Sequence, residues 1–121
     1  MPNRTVLLVE DDPDLAELLQ ELFLQVGWDV RLERNGSAAL QALKQYRPDV
    51  MVTDCMMPQM GGRELLERIR RIPELASLPV VLMSGADAML EGLATPRQVT
   101  LRKPFDPEKL VELVRRVIEA P

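Results

Sequence analysis

Strand-like and helix-like signals alternate five times along this 121-residue chain, and four of the apolar runs end in a polar group. Val6-Leu7-Leu8-Val9 leads into Glu10-Asp11-Asp12, and Val50-Met51-Val52-Thr53 into Asp54. Val80-Val81-Leu82-Met83 runs into Ser84, and Val99-Thr100-Leu101-Arg102 into Lys103-Pro104. Short continuous apolar runs suit strands covered on both faces, and strands alternating with helices at this spacing imply βαβ units in a parallel sheet. The expected architecture is a single doubly wound (βα)5 α/β domain over residues 1–121. In open sheets of this kind the carboxyl ends of the strands converge on one crevice, where ligands bind.

Local signals fill in the helices. Asp12-Pro13 supplies an N-cap and a proline at the first helical position. Leu15, Leu18, Leu19, Leu22, Phe23 and Val26 then mark an inward stripe, and Gly27 stands where the helix should stop. Trp28 to Leu32 alternates as an edge strand does. Asn35-Gly36-Ser37 opens a second helix with Leu40 and Leu43 inward, and Leu65, Leu66, Ile69 and Ile72 define a third that ends before Pro73. A weak fourth helical stretch covers Ala88 to Ala94, and Val99 to Leu101 is a brief fifth strand. Asp106-Pro107 repeats the cap-and-proline signal before Leu110, Leu113, Val114, Val117 and Ile118.

Composition narrows the function classes. A single cysteine, Cys55, excludes an internal disulfide and fits a reducing compartment, and no apolar run is long enough for a membrane span, so a cytoplasmic location is expected. Net charge is −4 with no basic stripe, which argues against direct nucleic-acid binding. With no histidine in the chain, His-based proton transfer, His-ligated metals and phosphohistidine are excluded.

The crevice itself gathers carboxylates, a hydroxyl and an ammonium. Clustered carboxylates repel unless a cation intervenes, and hard oxygen donors without imidazole or thiolate favour Mg2+ over zinc. Glu10-Asp11-Asp12 read alone is equally a helix-capping group, and Asp12 suits the cap. Asp54 closes an otherwise apolar central strand, where a charge is costly unless employed, and a carboxylate can act as a nucleophile forming an aspartyl phosphate. A turn-capping Asp is the competing reading. Lys103 offers a point charge for a phosphate oxygen and Ser84 a hydroxyl, although either alone could be a plain loop residue.

Taken together, Leu8-Val9-Glu10-Asp11-Asp12, Asp54-Cys55-Met56-Met57-Pro58-Gln59-Met60-Gly61-Gly62, Ser84 and Lys103-Pro104-Phe105 resemble the receiver domain of two-component response regulators over essentially the whole chain. That resemblance implies a flavodoxin-like sheet in the order 2-1-3-4-5 and a phosphorylation-dependent switch. It implies Asp54 as phosphoacceptor, served by a histidine kinase or phosphotransfer protein and acting on an effector protein or linked output domain. It further implies Mg2+ held by Asp11, Asp54 and the backbone carbonyl of Met56, with Glu10 acting largely through water. Ser84 and Lys103 would bind the phosphoryl group, the Lys103-Pro104 bond would be cis, and the domain would catalyse only its own phosphorylation and dephosphorylation.

Two departures fall on one surface. Thr100 stands where the family usually has an aromatic residue, and Ser84 and Lys103 are 19 positions apart, a shorter interval than usual. A signal is therefore expected to leave by another surface, such as the first helix, or through residues 85 to 98. The alternative function is a pseudo-receiver, a phosphorylation-independent interaction module. A haloacid-dehalogenase-type phosphatase is disfavoured because Met56 replaces the second Asp such enzymes need. Cys55 is expected as a buried neighbour, the methionines as core and loop filler, and Arg68, Arg70, Arg71, Arg115 and Arg116 as solvated helix faces.

Overall fold

In the computed structural model, which describes residues 3–86 and 97–119, five parallel strands form one sheet in the order β2-β1-β3-β4-β5. The strands are β1 (Thr5–Val9), β2 (Asp29–Glu33), β3 (Val50–Asp54), β4 (Val80–Ser84) and β5 (Gln98–Arg102). Among the described residues four helices connect and flank them: α1 (Pro13–Gln25), α2 (Gly36–Ala42), α3 (Gly62–Arg70) and α4 (Pro107–Glu119), with a 3-10 turn at Pro73–Leu75. The expected stretch Ala88 to Ala94 lies outside the described residues. Among those residues no helix is long and apolar enough to cross a membrane.

The alternation of side chains along the strands divides the core. Val6, Leu8, Val50, Val52, Val81 and Met83 pack against the α1 and α4 side, which contributes Leu19, Phe23, Leu110, Leu113, Val114 and Val117. Leu7, Val9, Met51, Val80 and Leu82 face the other way, onto Ala39, Leu43, Leu65, Leu66 and Ile69 from the α2 and α3 side. Central β3 and β4 are buried along their whole length, as their apolar runs require.

The helix boundaries follow their punctuation. Asp12 caps α1 by accepting the Asp14 N–H at 3.0 Å, and Pro13 is its first residue. Beyond its end Gly27 adopts φ +90°, a conformation open to glycine without cost. Asn35 caps α2 by accepting the Ala38 N–H at 2.8 Å.

Two expectations about faces need correction. Leu18 is not inward but 53% exposed, because the α1 stripe is wider than the face the sheet and α4 cover. Arg70 is not a solvated residue. Its guanidinium donates to the carbonyl of Leu78 at 2.8 Å and to Gln98 Oε1 at 3.0 Å, tying the end of α3 to the approaches of β4 and the start of β5. Burial lowers its pKa from the ordinary arginine value. By contrast Arg115, over the Trp28 ring at 5.8 Å, and Arg116, paired with Glu112 at 3.0 Å, stay on the outer surface of α4.

Candidate functional site

The parallel register sets the strand ends side by side. Val9 lies opposite Thr53, Asp54 opposite Met83, and Ser84 opposite Arg102, so the residues that close each strand share one rim. Glu10 prolongs β1, its N–H donating to the Glu33 carbonyl at 3.0 Å, and its side chain is wholly buried, while Asp11 next to it is exposed. Carboxylate oxygens of Glu10, Asp11 and Asp54 lie within 4.8 Å of one another.

Asp54 is 7% exposed and engaged on both oxygens. Lys103 Nζ donates to Oδ2 at 2.8 Å, and the Met56 N–H donates to Oδ1 at 3.3 Å. The same ammonium stands 3.7 Å from Glu10 Oε1. Burial lowers the Lys103 pKa, but the hydrogen bond to Asp54 and the charges of Asp54 and Glu10 outweigh it, leaving the group above its ordinary value. Lys103 therefore stays charged, and it reaches the crevice beside a cis Lys103–Pro104 bond.

Glu10 is the electrostatically anomalous member. Burial raises its pKa to about 7, against the lowering effect of the Asp12 N–H that donates to Oε2 at 3.1 Å. Its other oxygen, Oε1, is buried and accepts no hydrogen bond. An orphaned buried carboxylate oxygen in a cluster of three hard acids fits a divalent cation of the Mg2+ type, whose charge and waters satisfy such oxygens. The neighbouring Cys55 is buried, and burial pushes its thiol up to about 11, so it stays a protonated, inert filler at neutral pH.

Ser84 is buried at the end of β4, and its hydroxyl closes a turn, accepting the Ala86 N–H at 3.1 Å. The backbone joins it to Lys103, whose N–H donates to the Ser84 carbonyl at 2.8 Å. Thr100, half-buried, lies opposite Leu82. Asp12 stands apart from the cluster as the α1 cap. The structure thus brings Glu10, Asp11, Asp54 and Lys103 together, with Ser84 on the adjoining rim and its hydroxyl turned to its own loop.

Further features around the crevice were not singled out from the sequence. Thr53 Oγ1 donates to the Asp54 carbonyl at 3.1 Å, steadying the residue from within β3. Gly61 and Gly62 allow the start of α3 to press on this backbone: a Cβ would meet the Cys55 oxygen at 2.2 Å and the Asp54 oxygen at 2.3 Å respectively. The Gly-Gly pair was itself the available signal. Met56, whose backbone carbonyl the family resemblance assigns to the metal, has a side chain that is not core filler but 63% exposed beside the site. Finally Leu15, Leu18, Leu19, Phe105 and Pro107 line an apolar groove of about 380 Å³ that opens next to Lys103.

A doubly wound sheet with a carboxylate cluster, a half-buried lysine and a hydroxyl at its carboxyl edge defines a domain built for phosphoryl chemistry at a switch-point crevice. The sequence pattern of the response regulator receiver domain matches residues 6–115, and the chain belongs to that family. It is 38% identical over 119 residues to protein Rrf1 of Nitratidesulfovibrio vulgaris, covering 98% of this chain and 84% of that protein. It is 36% identical to the probable transcriptional regulatory protein TcrX of Mycobacterium tuberculosis, over 94% of this chain and 49% of that protein. A putative response regulator of Chloroflexus aurantiacus superposes with a TM-score of 0.87 at 31% identity, covering 97% of this chain and 98% of that one. The chain spans about half the length of several curated relatives it matches.

Proposed function

We propose that residues 1–121 form a single receiver domain acting as a phosphorylation-dependent signalling switch, with Asp54 as the residue that takes the phosphoryl group. The observation that carries this reading is the pairing of a nearly buried Asp54 carboxylate with Lys103 at 2.8 Å, inside a cluster of two further acids. An Asp54 oxygen attacks phosphorus of the donor, forming an acyl phosphate as the donor's leaving group departs. The work of the surrounding residues is positioning and charge stabilisation. Lys103, already placed on Asp54, moves its charge to an oxygen of the incoming phosphoryl group, and Ser84 donates its hydroxyl to another. Glu10, Asp11, Asp54 and the Met56 carbonyl are the groups that would hold Mg2+, which supplies neutralising charge to the phosphoryl oxygens when bound.

The added charge, roughly −1.5 to −2 by analogy with other phosphorylated side chains, then biases the loops around the crevice. The donor is a sensor histidine kinase or a phosphotransfer protein, and the output is an effector protein or a linked output domain, in the cytoplasm and without direct contact of this domain with nucleic acid. The reaction is the domain's own phosphorylation and dephosphorylation rather than turnover of a separate substrate. Incubation with acetyl phosphate and Mg2+, followed by intact mass, is the test. One phosphoryl group is expected on the wild type, none on Asp54→Asn and far less on Asp11→Asn. A wild type that stays unmodified while binding Mg2+ would point to the pseudo-receiver.

A further inference from the structure

The segment leaving Asp54 does not run freely to α3. It crosses to α2, and it does so in a backbone conformation that residues with a Cβ avoid: Gln59 has φ +54° and Met60 φ +78°, one after the other. Left-handed non-glycine residues persist only where their surroundings over-determine them. Here the surroundings are the first turn of α2. The Met60 carbonyl accepts the Gly36 N–H at 2.9 Å, and the Gln59 carbonyl accepts the Ser37 N–H at 3.3 Å. The Gln59 side chain meets the Asn35 amide at 3.4 Å. With Ala38 capped by Asn35, all three first-turn donors of this short helix are satisfied, two of them by the strained segment. The approach is close enough that a Cβ on Gly36 would lie 2.4 Å from the Met60 oxygen. The other end of the segment is fixed at the carboxylate cluster by the Met56 N–H on Asp54.

We propose that Met56–Met60 is a latch coupling occupancy of the carboxylate site to the order of the first turn of α2. This rests on the reading of that site as an Mg2+-binding phosphoacceptor centre. In the latched arrangement the two left-handed residues aim their carbonyls into α2. In the released one they relax to ordinary conformations, and the Gly36 and Ser37 amides lose their acceptors. Holding the segment at its Asp54 end favours the latched arrangement, and by linkage a perturbation at the α2 end alters affinity at the site by the same factor. The route does not pass through Thr100.

The test measures Mg2+ affinity by calorimetry, and hydrogen exchange at the Gly36 and Ser37 amides, in wild type, Gly36→Ala, Asn35→Ala and Ala42→Gly. Gly36→Ala pushes on Met60, Asn35→Ala removes the cap and the Gln59 contact, and Ala42→Gly frays α2 at its far end without touching the segment. Mg2+ is expected to slow exchange at both amides in the wild type. Its affinity is expected to fall about five-fold or more in Gly36→Ala and Asn35→Ala, within the usual range of coupling between sites, and to hold in Ala42→Gly. Should Gly36→Ala fail to fold, Asn35→Ala carries the comparison. A wild type that binds Mg2+ while the folded variants keep its affinity within about two-fold overturns the latch alone. A wild type that binds no Mg2+ overturns the site and the latch together.

Discussion

Replacing Glu10 by Gln should make the metal-free protein more stable, and increasingly so as pH rises. The Glu10 carboxyl has an ordinary value of 4.5 and stands at about 7 in the fold, chiefly through burial. A group that binds its proton more tightly when folded contributes stability that is full below the unfolded value and lost as pH climbs through the folded one. Ionised Glu10 therefore costs roughly 3 kcal/mol once both states are charged, at about 1.4 kcal/mol per pH unit of displacement. Roughly 1.4 kcal/mol of that is already incurred at about pH 5.5, leaving roughly 2 kcal/mol to appear between there and about pH 8. Glutamine keeps the shape, and its amide oxygen can still accept the Asp12 N–H that now reaches Oε2 at 3.1 Å. Lys103 loses one anionic neighbour but retains Asp54 at 2.8 Å. The assay is urea denaturation of both proteins in chelator at the two pH values. The advantage of Glu10→Gln over wild type should grow by roughly 2 kcal/mol from the lower to the higher. Millimolar Mg2+ should shrink the advantage at the higher pH, because only the wild type offers the full carboxylate set, and binding to the folded state adds stability. An advantage that is the same at both pH values refutes the reasoning.

Lys103→Met leaves Asp54 and Glu10 facing each other uncompensated; it should destabilise the metal-free protein by about 3 kcal/mol at neutral pH, with part of the loss recovered in Mg2+, as thermal melts would show. Gly62→Ala drives a Cβ to 2.3 Å from the Asp54 oxygen, so it should cost about 1–3 kcal/mol in urea melts and slow phosphorylation from acetyl phosphate. Gly27→Ala is the matched contrast: nothing lies within 4 Å, so about 1 kcal/mol of backbone strain is expected with the phosphorylation rate unchanged. Arg70→Met should lower stability by about 2 kcal/mol by removing the donor that reaches Gln98 Oε1 and the Leu78 carbonyl, again read by urea melts.

The fold was legible because its signals are local and mutually consistent. The run Val6 to Val9 declares a strand with two covered faces, and the structure sends its alternate residues into different halves of the core. Asp12-Pro13 and Gly27 bracket α1 because a cap and a left-handed stop depend only on their own neighbours. What escaped depends on tertiary reach. Leu18 repeats at helical spacing like its inward neighbours, and periodicity cannot say how wide a face will be covered. Arg70 looks like any polar-face arginine until the 3-10 turn brings the Leu78 carbonyl within reach of its long side chain. At the crevice, residue types and order were readable, whereas the split between buried Glu10 and exposed Asp11 needs the pleat to be followed one residue past β1. The strained Gln59-Met60 pair carries no sequence mark, since neither residue type favours that conformation.

The sheet also works as a partition. Buried residues on the α1 and α4 side and those on the α2 and α3 side form two separate clusters, divided by the backbone of β1, β3 and β4. Substitutions at adjacent positions such as Leu7 and Leu8 alter different packings, so their energetic costs should come close to adding although the residues are neighbours in sequence. Either face can thus be repacked with little disturbance to the other. A mechanical event that must reach both faces has its natural entry at the carboxyl rim, where Glu10, Asp54 and Lys103 meet above the edge of the partition.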